Sequence, residues 1–258
     1  MDQILIRELL RAVEAGRPVV LATVVSTSRS VPRHAGSKML VFADSSTRGS
    51  IGGGEMEARV IRESLAALAD GHPRLIDYQL VDPTRGDPGV CGGEVRLYLE
   101  PHMPTPTVYV VGCGHVGRAV IDLAHWMGFR VVAFDDRPEQ ADASTLPHAD
   151  AVYSGNLSDA LLADPPTEET HIVLVTRNVA LDLELLPLLL AAPARSIGLM
   201  GSERRWKTTR QALLERGVAE PALSRIHSPI GLELHAETPE EIAVSNLAEI
   251  VGMRRGAI

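Results

Sequence analysis

Residues 107–136 read TVYVVGCGHVGRAVIDLAHWMGFRVVAFDD, and the order of motifs in this stretch decides the fold class. It opens with an apolar, β-branched run at 108–111 that predicts a buried strand. A helical apolar period over 116–127 and a second apolar run over 130–134 predict a helix and another buried strand. Between the first strand and the helix stand three glycines with G-x-G-x-x-G spacing: Gly112, Gly114 and Gly117. This order is typical of a Rossmann-type dinucleotide-binding unit.

Each glycine of this motif has a physical reason. Gly112 would allow the tight turn out of the strand, Gly114 would let the backbone approach a pyrophosphate, and Gly117 would let the helix pack close to the strand. The helix N-terminus offers unpaired N–H groups and a positive dipole end to a phosphate. Asp135, at the end of the second strand, is expected to bond a ribose hydroxyl, which favours NAD over NADP. The alternative is a tight strand-to-helix turn that binds no ligand.

Composition excludes several classes of protein. A chain of 258 residues with 45% hydrophobic residues can form one large domain or two ordinary ones. The net charge of −8 and the aromatic content of 3% argue against nucleic-acid binding. No apolar run is long enough for a membrane span, and the N-terminus lacks the features of a secretory signal, so we expect a cytoplasmic protein. The two cysteines form neither a metal-ligand spacing nor a disulfide framework.

The N-terminal half contains two candidate ligand loops. The polar loop at 28–38, between strands predicted at 18–27 and 39–43, carries four basic or titratable side chains: Arg29, Arg33, His34 and Lys38. It is interpreted either as an anion-facing loop or as a solvated surface turn. Three consecutive glycines then open a helix: Gly52, Gly53 and Gly54. Their bare N–H groups favour a ligand loop over a flexible turn, because glycine carries an entropic cost at each position.

Cys91 lies in the loop 82–93, between two strands that alternate apolar and polar residues. It is interpreted either as a small buried thiol or as a soft sulfur ligand or reactive thiol that faces a bound group. The proline-rich stretch 101–106 follows, and the pattern then changes to regular strand–helix alternation. We therefore predict a mixed α+β domain at 1–101 and a Rossmann-like domain at 102–258.

Strand–helix alternation from 107 to 230 predicts a doubly wound parallel sheet of the α/β class. Ligands of such sheets bind beyond the carboxyl ends of the strands. Besides the glycine motif and Asp135, that edge should collect Arg177, Gly201-Ser202 and His227. Ser202 is also a good helix N-cap. His227 is the better candidate for an acid–base role, although a weak one, and the basic residues after Ser202 are expected to form a solvated helix face.

Five segments taken together resemble the xanthine dehydrogenase accessory family (XdhC/CoxI). They read GSIGGGEMEARV, VCGGEVRLYLEP, VYVVGCGHVGRAV, IGLMGSERRWK and SPIGLELHAETPEEIAVSNLAEI, and they begin at residues 49, 90, 108, 197 and 228. The resemblance covers nearly the whole chain and is specific as a set. It implies a maturation factor that binds the molybdenum cofactor, keeps its sulfurated form and delivers it to an apo molybdenum hydroxylase such as xanthine dehydrogenase or a carbon monoxide dehydrogenase-type enzyme.

By the same resemblance, the cofactor would lie near Gly52, Gly53, Gly54 and Cys91, with Lys38 close by. Cys91 would then be a soft ligand near molybdenum. A homodimer, and a cysteine desulfurase as a second partner, are also implied. The chain departs from the family pattern after Thr176, where many relatives carry histidines and the segment 177–182 has none. Any metal or acid–base role of those histidines is in doubt here, and Arg177 could instead meet an anion.

Two other functions fit the sequence. The Rossmann fingerprint is compatible with an NAD(P)-dependent oxidoreductase, but no convincing proton-transfer constellation accompanies it. The C-terminal half could also be a nucleotide-sensing adaptor that regulates delivery of the cofactor.

Overall fold

The structure is a computed structural model that describes residues 2–80 and 93–257. The chain divides into two units, Met1–Pro104 and Thr105–Ile258, so the division falls inside the proline-rich stretch. The loop that contains Cys91 lies outside the described residues, and its predicted role stays a prediction.

The N-terminal unit contains a five-stranded antiparallel sheet and two helices. In chain order its elements are α1 (Asp2–Glu14), β1 (Val19–Ser28), β2 (Lys38–Phe42), β3 (Thr47–Gly49), α2 (Gly54–Asp70), β4 (Arg74–Leu80) and β5 (Gly93–His102). The strand order is β3-β2-β1-β5-β4. This is the mixed α+β architecture that the sequence predicted. The sequence indicates a turn at 44–48, and the structure begins the short strand β3 within that segment.

Successive side chains along each strand point to opposite faces of the sheet, so there is one apolar layer on each face. In β2, Val41 packs into the cluster that α2 covers on one face of the sheet, and Leu40 packs into the cluster of α1 on the other face. On helix α1 the sequence indicates an apolar stripe of Ile4, Leu5, Leu9, Leu10 and Val13. Leu5 is buried and Leu9 packs against the same cluster, but Ile4, Leu10 and Val13 are exposed and Ala12 is buried in their place. The stripe was chosen on hydrophobicity alone, and the small Ala12 lies against the sheet.

The C-terminal unit is a six-stranded parallel sheet between helices. Its elements are β6 (Thr107–Val111), α3 (His115–Trp126), β7 (Arg130–Asp135), β8 (Ala151–Ser154), α4 (Leu157–Ala163), β9 (Thr170–Leu174), α5 (Val179–Leu190), β10 (Ser196–Leu199), α6 (Glu203–Glu215), α7 (Glu220–Leu223), β11 (Ile226–His227) and α8 (Pro239–Arg255). The order is β11-β10-β9-β6-β7-β8, with every pair parallel. This is the strand order of the Rossmann fold, with the switch point between β6 and β9, and the predicted fold class is confirmed.

Helices cover both faces of this sheet. Val108 and Val110 pack into a cluster with α3 and α8, while Tyr109 and Val111 pack into a cluster with α5 and α6. The sequence Thr238-Pro239-Glu240-Glu241 predicts a helix start with a capping box. This box is present at the start of α8, because the Thr238 side chain accepts from the Glu241 N–H and the Glu241 side chain accepts from the Thr238 N–H. Within residues 2–80 and 93–257, no helix combines the length and the apolar character that crossing a bilayer requires.

Candidate functional site

One end of the antiparallel sheet gathers the candidate residues of the N-terminal unit. Ser28 ends β1 and pairs with Glu94 near the start of β5, and Leu80 at the end of β4 pairs with Gly93. Lys38 begins β2, and its neighbour Met39 pairs with Gly49 at the end of β3. The polar loop 28–38, the glycine loop 49–54 and both strand ends that flank the Cys91 segment therefore meet at the same end of the sheet.

Close packing joins these loops. A Cβ atom added to Gly52 would lie 2.8 Å from Cγ of Pro32, which belongs to the polar loop. A Cβ atom on Gly93, two residues after Cys91 in the sequence, would overlap the carbonyl oxygen of Ser30. The polar loop is thus in contact with the glycine loop on one side and with the start of β5 on the other.

The glycine loop binds a carboxylate of its own chain. Oε1 of Glu57 accepts hydrogen bonds from the Ser50 hydroxyl at 2.7 Å and from the N–H groups of Ile51, Gly52 and Gly53 at 3.0, 3.2 and 2.9 Å. Burial alone would raise the pKa of Glu57, but these hydrogen bonds outweigh it, and the pKa lies below the usual value of a carboxyl group.

This contact narrows the places where an external anion could bind. The N–H groups of Gly52 and Gly53, predicted to face a ligand, already donate to Glu57. The first turn of α2, which starts at Gly54, has no side-chain cap. First-turn N–H groups have no partner inside a helix, so those of residues 54–56 are the remaining donors. Lys38 uses one of its three ammonium donors on the Gly36 carbonyl oxygen, at 3.0 Å, and can offer others.

The glycine motif of the C-terminal unit has the steric features that the sequence predicted. Gly112 has a φ of +111°, and a Cβ atom there would lie 2.8 Å from the Val175 carbonyl oxygen. A Cβ atom on Gly117 would overlap the Gly112 carbonyl oxygen, so the close approach of α3 to the sheet requires glycine. A Cβ atom on Gly114 would meet nothing within 4 Å. These contacts confirm the steric roles of Gly112 and Gly117 and leave open space beside Gly114.

Asp135 is occupied by partners from its own chain. It is 2% exposed, and its Oδ2 atom accepts the N–H of Cys113 at 2.8 Å. Arg137 donates its backbone N–H and Nε to Oδ1, at 3.0 and 2.9 Å, and Nη2 to Oδ2 at 3.1 Å. These four donors fill the acceptor positions of a carboxylate, so a ribose hydroxyl would have to displace one of them. The ribose role of Asp135 stays a prediction.

A cavity of about 100 Å³ lies at the switch point of the parallel sheet. Its lining comprises Val111, Gly112, Gly114, Phe134, Asp135, Asp136, Arg137, Val175, Thr176, Arg177, Leu181 and Leu185. Arg177 forms a two-pronged ion pair with Asp136 across it, with N–O distances of 2.7 and 2.6 Å. Four other predicted residues, Gly117, Gly201, Ser202 and His227, are not part of this lining.

Arg205 belongs to a buried network that sequence reasoning missed. Its guanidinium donates to both carboxylate oxygens of Asp182, at 2.9 and 2.7 Å, and to the hydroxyl and carbonyl oxygens of Thr176, at 2.8 and 3.0 Å. A Cβ atom on Gly201 would lie 2.9 Å from Cδ of Arg205. Ser202 caps α6 as predicted and accepts the Arg205 N–H. The sequence predicted a solvated helix face here, but the Arg205 side chain is instead hydrogen-bonded to the loop after β9 and stabilises it.

His227 lies on the edge strand β11. Its Nδ1 atom is 3.3 Å from Oε1 of Glu249, a residue that is 8% exposed and also accepts the N–H of Gly231. The carboxylate orients the imidazole, whose side chain is 45% exposed. Its acid–base role stays a prediction.

The described residues contain one free cysteine, Cys113, and its thiol is buried. Burial, and then the nearby charge of Asp135, raise the pKa of Cys113 to about 12, so it is a neutral thiol at physiological pH. In the described part of the chain, no group of three or more His, Cys, Asp or Glu side chains could hold a metal ion. Cys91 lies outside these residues.

Known protein families match both units of the chain. The family described as "XdhC Rossmann domain" matches residues 108–250, and the "XdhC and CoxI family" matches residues 12–79. The chain belongs to the XdhC family. The family resemblance found in the sequence is confirmed, and it spans both units.

This XdhC-family chain is similar to part of two longer bacterial proteins. It is 34% identical to the uncharacterised protein YqeB of Escherichia coli, over 97% of this chain and 46% of YqeB. It is 31% identical to a protein of Bacillus subtilis named as a probable subunit of xanthine dehydrogenase, over 62% of this chain and 46% of that protein. The chain therefore spans about half the length of these two relatives.

Two other matches extend over nearly the whole chain. The molybdenum cofactor insertion chaperone PaoD of E. coli is 24% identical, over 97% of this chain and 88% of PaoD. A crystal structure described as a xanthine dehydrogenase from Bacillus halodurans covers 97% of this chain and 96% of its own, with 22% identity and a TM-score of 0.53. At that identity the likeness shows a shared fold.

Proposed function

We propose that this chain binds the molybdenum cofactor and delivers it to an apo molybdenum hydroxylase. The observation that carries the proposal is the convergence at one end of the antiparallel sheet. Lys38, the first turn of α2 and both strand ends that flank the Cys91 segment meet there. The similarity to PaoD, a cofactor insertion chaperone by name, supports the same role.

The donors at this end of the sheet fit the chemistry of a molybdopterin. Its phosphate matches the N–H groups of residues 54–56 and the ammonium group of Lys38, because helix starts and lysines are common phosphate ligands. Cys91 would offer a soft sulfur on the molybdenum side. When bound, the cofactor supplies the metal centre that the recipient enzyme needs, and this chain's residues hold and shield it. Hydrogen bonds, rather than a closed cage of ligands, allow release.

The finer parts of the proposal concern the form of the cofactor and the partners. We infer that the chain protects the sulfurated form, with xanthine dehydrogenase or a carbon monoxide dehydrogenase-type enzyme as the recipient. A cysteine desulfurase would supply the sulfur, and the chain would act as a homodimer in the cytoplasm.

A defined reconstitution tests delivery. The purified chain, loaded with cofactor, is mixed with an apo-hydroxylase, and the recovered hydroxylase activity is measured. Lys38→Ala and Cys91→Ser should each reduce transfer about tenfold or more, the expected loss for one strong contact to a charged ligand. Lys207→Ala is the matched control, because Lys207 is an exposed lysine of the other unit. No transfer by the wild-type chain, or equal transfer by all variants, would reject the proposal.

A second candidate function is nucleotide binding by the Rossmann unit. It is favoured by the cavity at the switch point and by the open space beside Gly114. The oxidoreductase alternative gains less support. Among the described residues that line the cavity, the carboxylates of Asp135 and Asp136 are the only groups of a type that commonly moves a proton, and both are held in ion pairs with arginines. Titration with NAD, NADP and CTP, combined with a screen for hydride transfer, separates binding from turnover.

A further inference from the structure

The ion pair between Asp136 and Arg177 spans the ligand crevice of the Rossmann unit. Asp136 follows β7 and Arg177 follows β9, and these strands flank β6 on either side. Neighbouring strands lie about 4.8 Å apart, so the pair crosses roughly 10 Å over the end of β6. The loop Gly112–Gly114 leaves β6 at that end and lines the same cavity. The two side chains therefore close the crevice over the glycine motif.

The closed crevice is too small for a nucleotide. Its volume of about 100 Å³ compares with roughly 300–1,000 Å³ for ordinary small-molecule sites. The pair that closes it is accessible, since the side chain of Arg177 is 44% exposed and that of Asp136 is 28% exposed. Exposed ion pairs contribute little to stability, so this one can open readily. Behind it, Val175, Leu181 and Leu185 form an apolar wall suited to a base.

We propose that Asp136 and Arg177 form a latch, which a nucleoside diphosphate opens by taking Arg177 as a ligand of its phosphates. This inference rests on the second candidate function, nucleotide binding by the Rossmann unit. A guanidinium binds carboxylate and phosphate with the same two-pronged geometry, so Arg177 can exchange one partner for the other. Arg137 stays with Asp135, whose carboxylate it fills. The diphosphate then meets the start of α3, beside the open space at Gly114.

The two partners of a latch should respond in opposite directions. Asp136→Asn frees Arg177 and should tighten binding of ADP about two- to fivefold, because the competent state is then populated without competition from the carboxylate. Arg177→Ala also opens the crevice but removes the phosphate ligand, and should weaken ADP binding about tenfold. Adenosine, which lacks phosphate and loses no contact with Arg177, should bind Arg177→Ala about two- to fivefold more tightly than it binds the wild type, because the crevice is then open.

The matched control is a second exposed ion pair of the same unit. Arg195 and Glu169 are 42% and 26% exposed, with an N–O distance of 3.2 Å. They flank the amino ends of β9 and β10, opposite the crevice. Glu169→Gln should leave ADP binding unchanged. Calorimetric titration of the full chain measures all these affinities, and thermal unfolding verifies that each variant is folded.

The possible outcomes distinguish failure of the proposed latch from failure of the nucleotide site itself. If neither the wild type nor Asp136→Asn binds ADP, nucleotide binding by this unit is rejected, and the latch with it. If the wild type binds ADP but Asp136→Asn does not tighten it, or Arg177→Ala does not weaken it, the latch is rejected and the nucleotide site stands.

Discussion

The two glycine loops of this chain both have backbone N–H groups that need acceptors, and the surroundings of the acceptor differ between the two loops. In each, a carboxylate of the chain accepts backbone N–H groups of the loop, three of them at Glu57 and one, that of Cys113, at Asp135. Glu57 comes from the helix that follows the loop and accepts only amides and a hydroxyl. Asp135 comes from the next strand, and Arg137 shares it.

The two loops differ in whether a basic side chain balances the charge of the carboxylate. Among the described hydrogen-bond partners of Glu57 there is no basic side chain, so its negative charge repels a second anion from residues 51–53. In the proposed cofactor site, a phosphate would therefore meet the first turn of α2 and Lys38 rather than residues 51–53. At Asp135 the charge is balanced by Arg137, so the start of α3 stays attractive to phosphate. A glycine run alone does not establish which of its N–H groups are free.

The largest expected effect is the difference in unfolding free energy between alanine substitutions at Gly117 and at Gly114. Gly117→Ala places a methyl group on the Gly112 carbonyl oxygen and should cost about 3 kcal/mol of unfolding free energy or prevent folding. Gly114→Ala, where the methyl group meets open space, should cost less than about 1 kcal/mol. Both tryptophans, Trp126 and Trp206, belong to this unit, so their emission in urea measures its unfolding. Equal losses would contradict the packing assigned to Gly117.

Removing the internal carboxylate of the N-terminal loop should have the next largest effect. Glu57→Ala leaves the amides of Ile51 and Gly53 without an acceptor and that of Gly52 with only the Ser50 hydroxyl, at 3.3 Å, and should cost about 2–3 kcal/mol. Hydrogen exchange at residues 51–53 should accelerate, and urea unfolding followed by circular dichroism gives the free energy. Glu55→Ala is the control, because Glu55 lies on the same turn but pairs with Arg62 at the surface. A Glu57 variant that matches it would rule out this capping role.

Two adjacent glycines of the same loop should differ in tolerance. Gly52 and Gly53 have φ values of +140° and +83°, so alanine is strained at either position. A Cβ atom on Gly52 would also lie 2.7 Å from Met56 and 2.8 Å from Pro32, whereas one on Gly53 meets nothing. We expect Gly52→Ala to cost about 1 kcal/mol more than Gly53→Ala in urea unfolding. The reverse order would contradict the contact between the glycine loop and the polar loop.

The smallest expected effect is a pH dependence. The pKa of Glu57 is lowered in the folded state from its ordinary value of 4.5. The unfolded state then binds the proton more readily, so the stabilisation is complete above pH 4.5 and is lost as the pH falls through the lowered pKa. The stability difference between the wild type and Glu57→Gln should therefore shrink below pH 4.5. Parallel stability curves from about pH 7 to about pH 3 would show that Glu57 does not titrate with folding.

Local patterns predicted most of the fold. Apolar runs located β6 and β7, and capping residues located the starts of α6 and α8, because these features depend on neighbours in the sequence. The partners of Asp135 and Arg205 depend on which strand ends become neighbours. Arg205 reaches Asp182 and Thr176 across two loops, which no sequence spacing indicates. From its place in the first turn of α2, Glu57 is expected only to complement the helix dipole, whereas its carboxylate accepts hydrogen bonds from the loop before the helix.

Hydrogen exchange of the full chain with and without molybdenum cofactor tests the central claim most directly, since it maps where the ligand binds. We expect slower exchange of the amides at residues 28–38 and 54–56, and loss of that protection in Lys38→Ala but not in Lys207→Ala. Protection confined to residues 105–258, or none at saturating cofactor, would contradict a cofactor site at the end of the antiparallel sheet.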